Sequence, residues 1–176
     1  MLDLRILTIF PRIFDSFLNY GNPARASEAG LLRVGAVDLR DFAQDRHRTT
    51  DDYPYGGGTG MIMKPEPVAM GIRHLAGLMK DPRVILMTPQ GRLFGQAAAE
   101  DLARQKALLV VCGRYEGVDE RIRSFVHDEI SVGDYILSGG ETAAMLLIDA
   151  VSRLIPGVIG ADSHIGGESF YDGLLE

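Results

Sequence analysis

VILMTPQGRLFGQAAAEDLARQKALLVVCG, residues 84–113, is the stretch that decides the fold class. It opens on one short apolar run, Val84 to Met87, and closes on a second, Leu108 to Cys112. Each has the length of a strand and is bounded by polar residues, proline or glycine. Between them Gln96 to Gln105 is rich in alanine, the strongest helix former, and reads as a helix. Strand, helix and strand in succession, with the strands apolar throughout, belong to a parallel sheet covered by helices.

The same alternation continues outward on both sides. Leu4 to Phe10 reads as a strand ended by Pro11, and Pro11 suits the first turn of a helix running to about Tyr20. Leu31 to Leu39 reads as a strand. Pro65 to Met79 reads as a helix with Val68, Ile72, Leu75 and Met79 on one face. On the other side, Val118 to Phe125 reads as a short helix, Glu129 to Val132 as a strand, and Glu141 to Leu154 as a helix stopped by Pro156 and Gly157. The expectation is an α/β fold: a mostly parallel sheet with helices on both faces. Arg40 to Lys64 has no periodic pattern, and loops of that length in compact domains are functional or disordered. The tail from Val158 to Glu176 is irregular too, and ends without a stop signal.

The 176 residues are 46% hydrophobic and 24% charged, ordinary for a globular domain able to bury its own core. The one cysteine, Cys112, excludes an intrachain disulfide, and at the end of an apolar strand it reads as a buried structural thiol. No apolar run approaches the roughly 20 residues needed to span a bilayer. No signal peptide is legible, so a cytoplasmic protein is expected. A net charge of −6 argues against non-specific nucleic-acid binding but allows a local basic patch from Arg40, Arg46, His47 and Arg48.

Four glycine-bearing segments mark a binding site: Tyr55 to Gly60, Thr88 to Gly91, Cys112 to Gly117, and Val132 to Gly140. The last three are expected directly after strands, where ligands of open parallel sheets bind. Each glycine alone can serve only a turn or a helix cap; their grouping at one sheet edge favours a site. No GxGxxG opens a helix after the first strand and no GxxxxGK[ST] occurs, which excludes the usual dinucleotide and P-loop sites. Glu116, Asp134 and Glu141 lie in or next to these loops, and carboxylates suit a neutral or cationic nucleoside better than a phosphate. His47, His74, His127 and His164 are scattered without metal-ligand spacing, and no serine sits in a nucleophile elbow.

Five motifs carry a resemblance: LTIFPRIF (7–14), DRHRTTDDYPYGGGTGM (45–61), TPQGR (88–92), CGRYEGVDER (112–121) and SVGDYILSGGE (131–141), continued by DAVSRLIPGV (149–158). In this order they resemble the bacterial tRNA guanine-N1 methyltransferases along essentially the whole chain. The resemblance implies a deep trefoil knot, a homodimer with sites at the subunit interface, and methyl transfer from S-adenosylmethionine to N1 of guanine-37, 3′ of the tRNA anticodon. It also implies magnesium, without placing it. It divides the chain into a knotted methyltransferase domain, residues 1–160, and the start of a linker, residues 161–176, the C-terminal tRNA-binding domain being absent.

For the cofactor the resemblance implies Leu86, Met87, Thr88, Pro89, Gln90, Gly91, Gly113, Tyr115, Glu116, Val132, Gly133, Tyr135, Leu137, Gly139 and Gly140. For tRNA it implies Arg46, His47, Arg48, Asp52, Gly58 and Arg153. Arg153 matches the arginine that faces guanine O6, and Glu116 a site carboxylate near the cofactor. Read alone, Arg153 is a cation favoured by a helix end and paired with Asp149, and Glu116 a solvated loop charge. The general base of the family is an aspartate before Ser-Phe; here Glu168 stands in that place, one methylene longer. Ala24 replaces a usual glycine, a difference without evident meaning. The competing readings are a non-catalytic S-adenosylmethionine- or RNA-binding module and a phosphate binder using Gly56 to Gly60.

Overall fold

The computed structural model describes residues 1–54, 56–159 and 169. The helices and strands run in the order β1 (Leu2–Thr8), α1 (Phe14–Leu18), α2 (Gly21–Glu28), β2 (Leu32–Asp38), β3 (Asp51–Asp52), β4 (Ile62–Met63), α3 (Pro65–Leu78), β5 (Arg83–Leu93), α4 (Gln96–Ala103), β6 (Ala107–Cys112), β7 (Asp128–Ser131) and α5 (Gly140–Arg153). Five strands form one wholly parallel sheet in the order β2-β1-β6-β5-β7. Among the described residues no helix is long and apolar enough to cross a membrane.

β6 is the centre of this sheet, and all six of its residues are buried. Successive side chains leave a strand on opposite faces. Leu108, Val110 and Cys112 accordingly join Leu4, Ile6, Ile85 and Met87 in the core beneath α2, α4 and α5. Leu109 and Val111 join Leu7, Val84 and Leu86 beneath α3 on the other face. Both parities must therefore be apolar, which is why β6 is legible as an uninterrupted run. Burying each large side chain contributes about 1.5 to 3 kcal/mol.

Several boundaries differ from the sequence reading. The first strand stops at Thr8, and the expected helix after it is a 3-10 turn, Pro11–Ile13, leading into the short α1. The expected helix over 118–125 is a 3-10 turn, Glu120–Phe125, held at its start by Asp119, which accepts from the Arg121 backbone. α2 was not anticipated: GNPARASE holds glycine, asparagine and proline in its first turn and buries only Pro23 and Ala26, too narrow an apolar stripe to show as a period. The long segment after β2 is pinned by a minimal antiparallel ladder in which Asp51 faces Met63 and Asp52 faces Ile62.

The most consequential difference is β5. It runs on to Leu93, and Ile130 of β7 is opposite both Met87 and Arg92. Thr88 to Gly91 are thus looped out of the ladder within a strand rather than after it.

The lower end of β5 is fixed by charge. The Arg83 guanidinium donates to Asp128 at 2.5 Å and to Asp101 at 2.6 Å, joining β5, β7 and α4. Arg92 donates to Asp128 at 3.4 Å. Burial pushes the Asp128 carboxyl upward, but its hydrogen bonds and attraction to Arg83 and Arg92 outweigh this and hold it below the usual carboxylate range. A depressed folded value means stability that is present above the unfolded pKa of about 3.9 and is lost as pH falls through the folded one. Asp128→Asn is expected to destabilise the fold by about 1 to 3 kcal/mol at pH 7. Urea unfolding across pH should show the gap from wild type closing in acid; a constant gap would mean that packing, not charge, is lost.

Candidate active site

The carboxyl ends of β5, β6 and β7 open into one cleft of about 290 Å³, near the lower limit for small-molecule sites. Its walls come from three of the glycine-bearing segments: Leu86 to Gln90, Gly113 to Glu120, and Glu129 to Gly133 continuing through Tyr135, Ile136 and Leu137 to Gly140. These segments meet because their backbones touch. The Gly140 amide donates to the Gly113 carbonyl at 2.7 Å, and Arg114 bridges Gly139. A Cβ on Gly140 would stand 2.9 Å from the Gly113 nitrogen and 3.0 Å from the Cys112 Cα. A Cβ on Gly91 would collide with the Glu129–Ile130 peptide, which is backbone and cannot step aside. Tyr115 holds φ of 61°, a left-handed conformation sparsely used by side-chain-bearing residues and found where a site over-determines it.

The fourth glycine segment lies elsewhere. Gly56 to Gly60 belong to the excursion between β3 and β4 and do not line the cleft. Its end nevertheless reaches the site. The Glu116 amide donates to Met61, the Met63 amide to Gly117 and the Asp119 amide to Met63, while a Cβ on Gly60 would strike the Glu116 side chain. That strap is what the described end of the segment builds.

Of the residues assigned to the cofactor by resemblance, all but Gly91 line the cleft, and Gly91 supports it from behind. Arg114, Gly117, Val118, Asp119, Glu120, Arg123, Glu129, Ile130, Ser131, Ile136 and Ala143 line it as well and were not singled out from sequence. Arg114, Asp119 and Glu120 lie inside the quoted CGRYEGVDER motif, so that signal was available. Glu129 and Arg123 had no local signal. Of the carboxylates read as site charges, Asp134 is exposed, whereas Glu141 is buried and bonded to Thr8 and Arg114. Cys112 is buried and its thiol is pushed well up, first by that burial and then by the Glu141 charge, as a structural thiol requires.

The electrostatics of the cleft are mostly internal pairs. Asp119 accepts from Nε and Nη2 of the Arg121 guanidinium at 2.8 and 2.9 Å, and Arg123 is shared by Glu120 at 2.5 Å and Glu129 at 2.7 Å. Glu116, exposed at the rim, has no ion-pair partner among the described residues. A wall with paired arginines and an unpaired carboxylate suits a cationic or hydroxyl-rich ligand.

The other predicted residues are outside the cleft. Arg46, His47, Arg48 and Asp52 are exposed. Asp45 orders their turn, accepting from the His47 amide at 3.1 Å and the Thr49 amide at 2.9 Å. Arg48 is paired with Asp41. Gly58 is exposed with φ of 122°. Arg153 closes α5, half-buried, about 15 Å of helix rise beyond Ala143 at the cleft wall. Glu168 lies outside the described residues.

Fold and cleft together define an α/β domain with a small-molecule-sized cleft at the carboxyl ends of a parallel sheet, where ligands of such folds bind. Residues 2–176 match the family model of tRNA (guanine-1)-methyltransferase TrmD, and the chain belongs to that family. The tRNA (guanine-N(1)-)-methyltransferase of Geotalea uraniireducens is 58% identical over 97% of this chain and 70% of its own length. That of Dictyoglomus turgidum is 49% identical over 100% of this chain and 71% of its own. The crystal structure of tRNA (m1G37) methyltransferase from Aquifex aeolicus superposes with a TM-score of 0.85 at 42% identity, covering 90% of this chain and 72% of that one.

Gly91→Ala tests the architecture of the cleft. The Cβ must push β7 away from β5, at a cost of roughly 1 to 3 kcal/mol by analogy with overpacking. S-adenosylhomocysteine titrated calorimetrically into the variant should bind at least tenfold more weakly, whereas unchanged binding would show that β7 shifts without opening the cleft.

Proposed function

We propose that this chain binds S-adenosylmethionine in the cleft and methylates N1 of guanine-37 in tRNA. The observation that carries the reading is the cleft itself. Fourteen of the fifteen residues assigned to the cofactor from the family motifs line a single cavity, and no P-loop or dinucleotide fingerprint competes for it. The residues fit the cofactor chemically. Backbone at Gly113, Gly139 and Gly140 lets an adenosine approach closely, the Leu86, Val132 and Leu137 side chains give it an apolar wall, and Glu116 faces the cleft without a competing cation. When bound, S-adenosylmethionine supplies an electrophilic methyl group on a sulfonium.

The remaining chemistry falls to the protein. Guanine N1 carries a proton, so a base must take it as the new bond forms. Glu168 is proposed for that part. Charge then accumulates on O6, and Arg153 is proposed to meet it. Arg153 stands too far along α5 to reach the cleft of its own chain, which favours a homodimer in which each cleft is completed by the second subunit. Arg46, His47, Arg48, Asp52 and Gly58 are read as the tRNA-facing surface, with the exposed Arg46 guanidinium available to a phosphate, and the trefoil knot and the division at residue 160 belong to the same reading. Among the described residues no group of three or more His, Cys, Asp or Glu is placed to hold a metal ion, so no step is assigned to magnesium. The alternative of a non-catalytic module is not favoured, since such a module would carry no need for both a base and an arginine at the family positions that Glu168 and Arg153 match.

Two measurements test this. S-adenosylhomocysteine at about 100 times its Kd should stabilise the protein by about 2.7 kcal/mol, while ATP and GTP should shift its melting little. Equal shifts with the triphosphates would overturn the cofactor assignment. Arg153→Ala should slow methyl transfer to tRNA by roughly 100- to 1000-fold with cofactor affinity intact. Parallel loss of both would move Arg153 into the cofactor pocket.

A further inference from the structure

At the end of β1 lies a buried charge that the proposed chemistry does not use. Glu141 is only 1% exposed, in the first turn of α5. Its two carboxylate oxygens are taken by two other elements. The Thr8 hydroxyl, at the carboxyl end of β1, donates to Oε1 at 2.7 Å. The Arg114 Nε, in the turn after β6, donates to Oε2 at 3.0 Å. Thr8 is itself oriented, because its hydroxyl oxygen accepts from the Phe10 amide at 3.0 Å.

Stability alone does not account for such a group. A buried ion pair gains little over apolar packing of the same shape, because desolvation consumes the attraction. What it does supply is a fixed geometry, and the element fixed here is the turn carrying Tyr115 and Glu116. Arg114 is held at both ends: its backbone amide donates to the Met63 sulfur at 3.1 Å, and its guanidinium lies 4.6 Å above the Phe10 ring while bonded to Glu141. The next residue is the left-handed Tyr115.

Resting on the reading of the cleft as the cofactor pocket, we propose that Glu141 is a positioning residue for methyl transfer. Its carboxylate grips Arg114 and Thr8, sets the Gly113–Gly117 turn at the cleft wall, and neutralises an arginine that would otherwise face a cationic donor. Two consequences separate this role from simple structural support. Without the carboxylate the turn loosens, so any ligand of the cleft binds less well. The uncovered Arg114 charge also repels a sulfonium more than a neutral thioether, so affinity for S-adenosylmethionine falls further than that for S-adenosylhomocysteine.

The test uses the full chain with Glu141→Gln, Thr8→Val and the double variant Arg114→Gln/Glu141→Gln, and measures Kd for both ligands well below each melting temperature. Glu141→Gln should raise the S-adenosylhomocysteine Kd by about tenfold, the loss of one charged hydrogen bond, and the S-adenosylmethionine Kd by more. In the double variant the ratio of the two constants should return to the wild-type value while both remain weakened. Thr8→Val keeps the charge pair, so it should weaken both ligands equally, by about threefold, and it decides the matter if Glu141→Gln does not fold. Folded variants that bind both ligands like wild type, whatever their melting temperature, would overturn the proposal. Wild-type protein that binds neither ligand would instead remove the cofactor reading on which it rests.

Discussion

The architecture depends on one close approach: the first residue of α5 lies directly on the chain as it leaves β6. Gly140 packs on Cys112 and Gly113 and beside Met87, with its amide bonded to the Gly113 carbonyl. Only a residue without a Cβ can occupy that place. The contact brings the start of a buried helix against the ends of β5 and β6. From there α5 buries Ala143, Ala144, Leu147, Ile148 and Val151 along one face of the sheet. The cleft is the space left over when three loops are drawn together in this way. A larger residue at 140 would separate helix from sheet and open the cleft at its base.

How far the sequence disclosed this follows from what each element owes to local patterning. β6 and α5 were legible because burial dictates nearly every residue in the first and a broad stripe in the second. α2 and the β3–β4 pair were not, because the one buries too few side chains and the other has too few residues to generate a period. The excursion at 88–91 was invisible for another reason: its cause is the spacing of β7, a strand some forty residues further on, which pairs with β5 on either side of the loop. Glycine positions told more than helix or strand propensity, since the backbone contacts at Gly91 and Gly140 can be met by no other residue. The partners of Glu141 are not legible in sequence, because a carboxylate's position along the chain says nothing about its meeting Thr8 and Arg114 in the fold.

Charge is distributed in the cleft with the same economy. Arg114, Arg121 and Arg123 each meet a carboxylate of the same neighbourhood, so the wall is polar without presenting a free cation to a ligand. This is the reverse of a phosphate site and agrees with the missing P-loop lysine. It also reconciles a domain of net charge −6 with an RNA-modifying family. Attraction for a polyanion has to come from a local surface rather than from the whole field of the protein.

The strand order has a consequence for how the molecule comes into being. β1 pairs on one edge with β2, close in the chain, with Leu2 opposite Leu32, while its other edge is filled only by β6, with Leu4 opposite Leu108. During synthesis at about 5 to 20 residues per second, that edge waits roughly 5 to 20 s for its partner to be made. Through this interval an apolar strand stands with one ladder unpaired, open to pairing with another nascent chain. Non-local parallel pairing of this kind is slow to form even once the chain is complete. The hazard of this fold is therefore concentrated in its first strand and in the time before its central one exists.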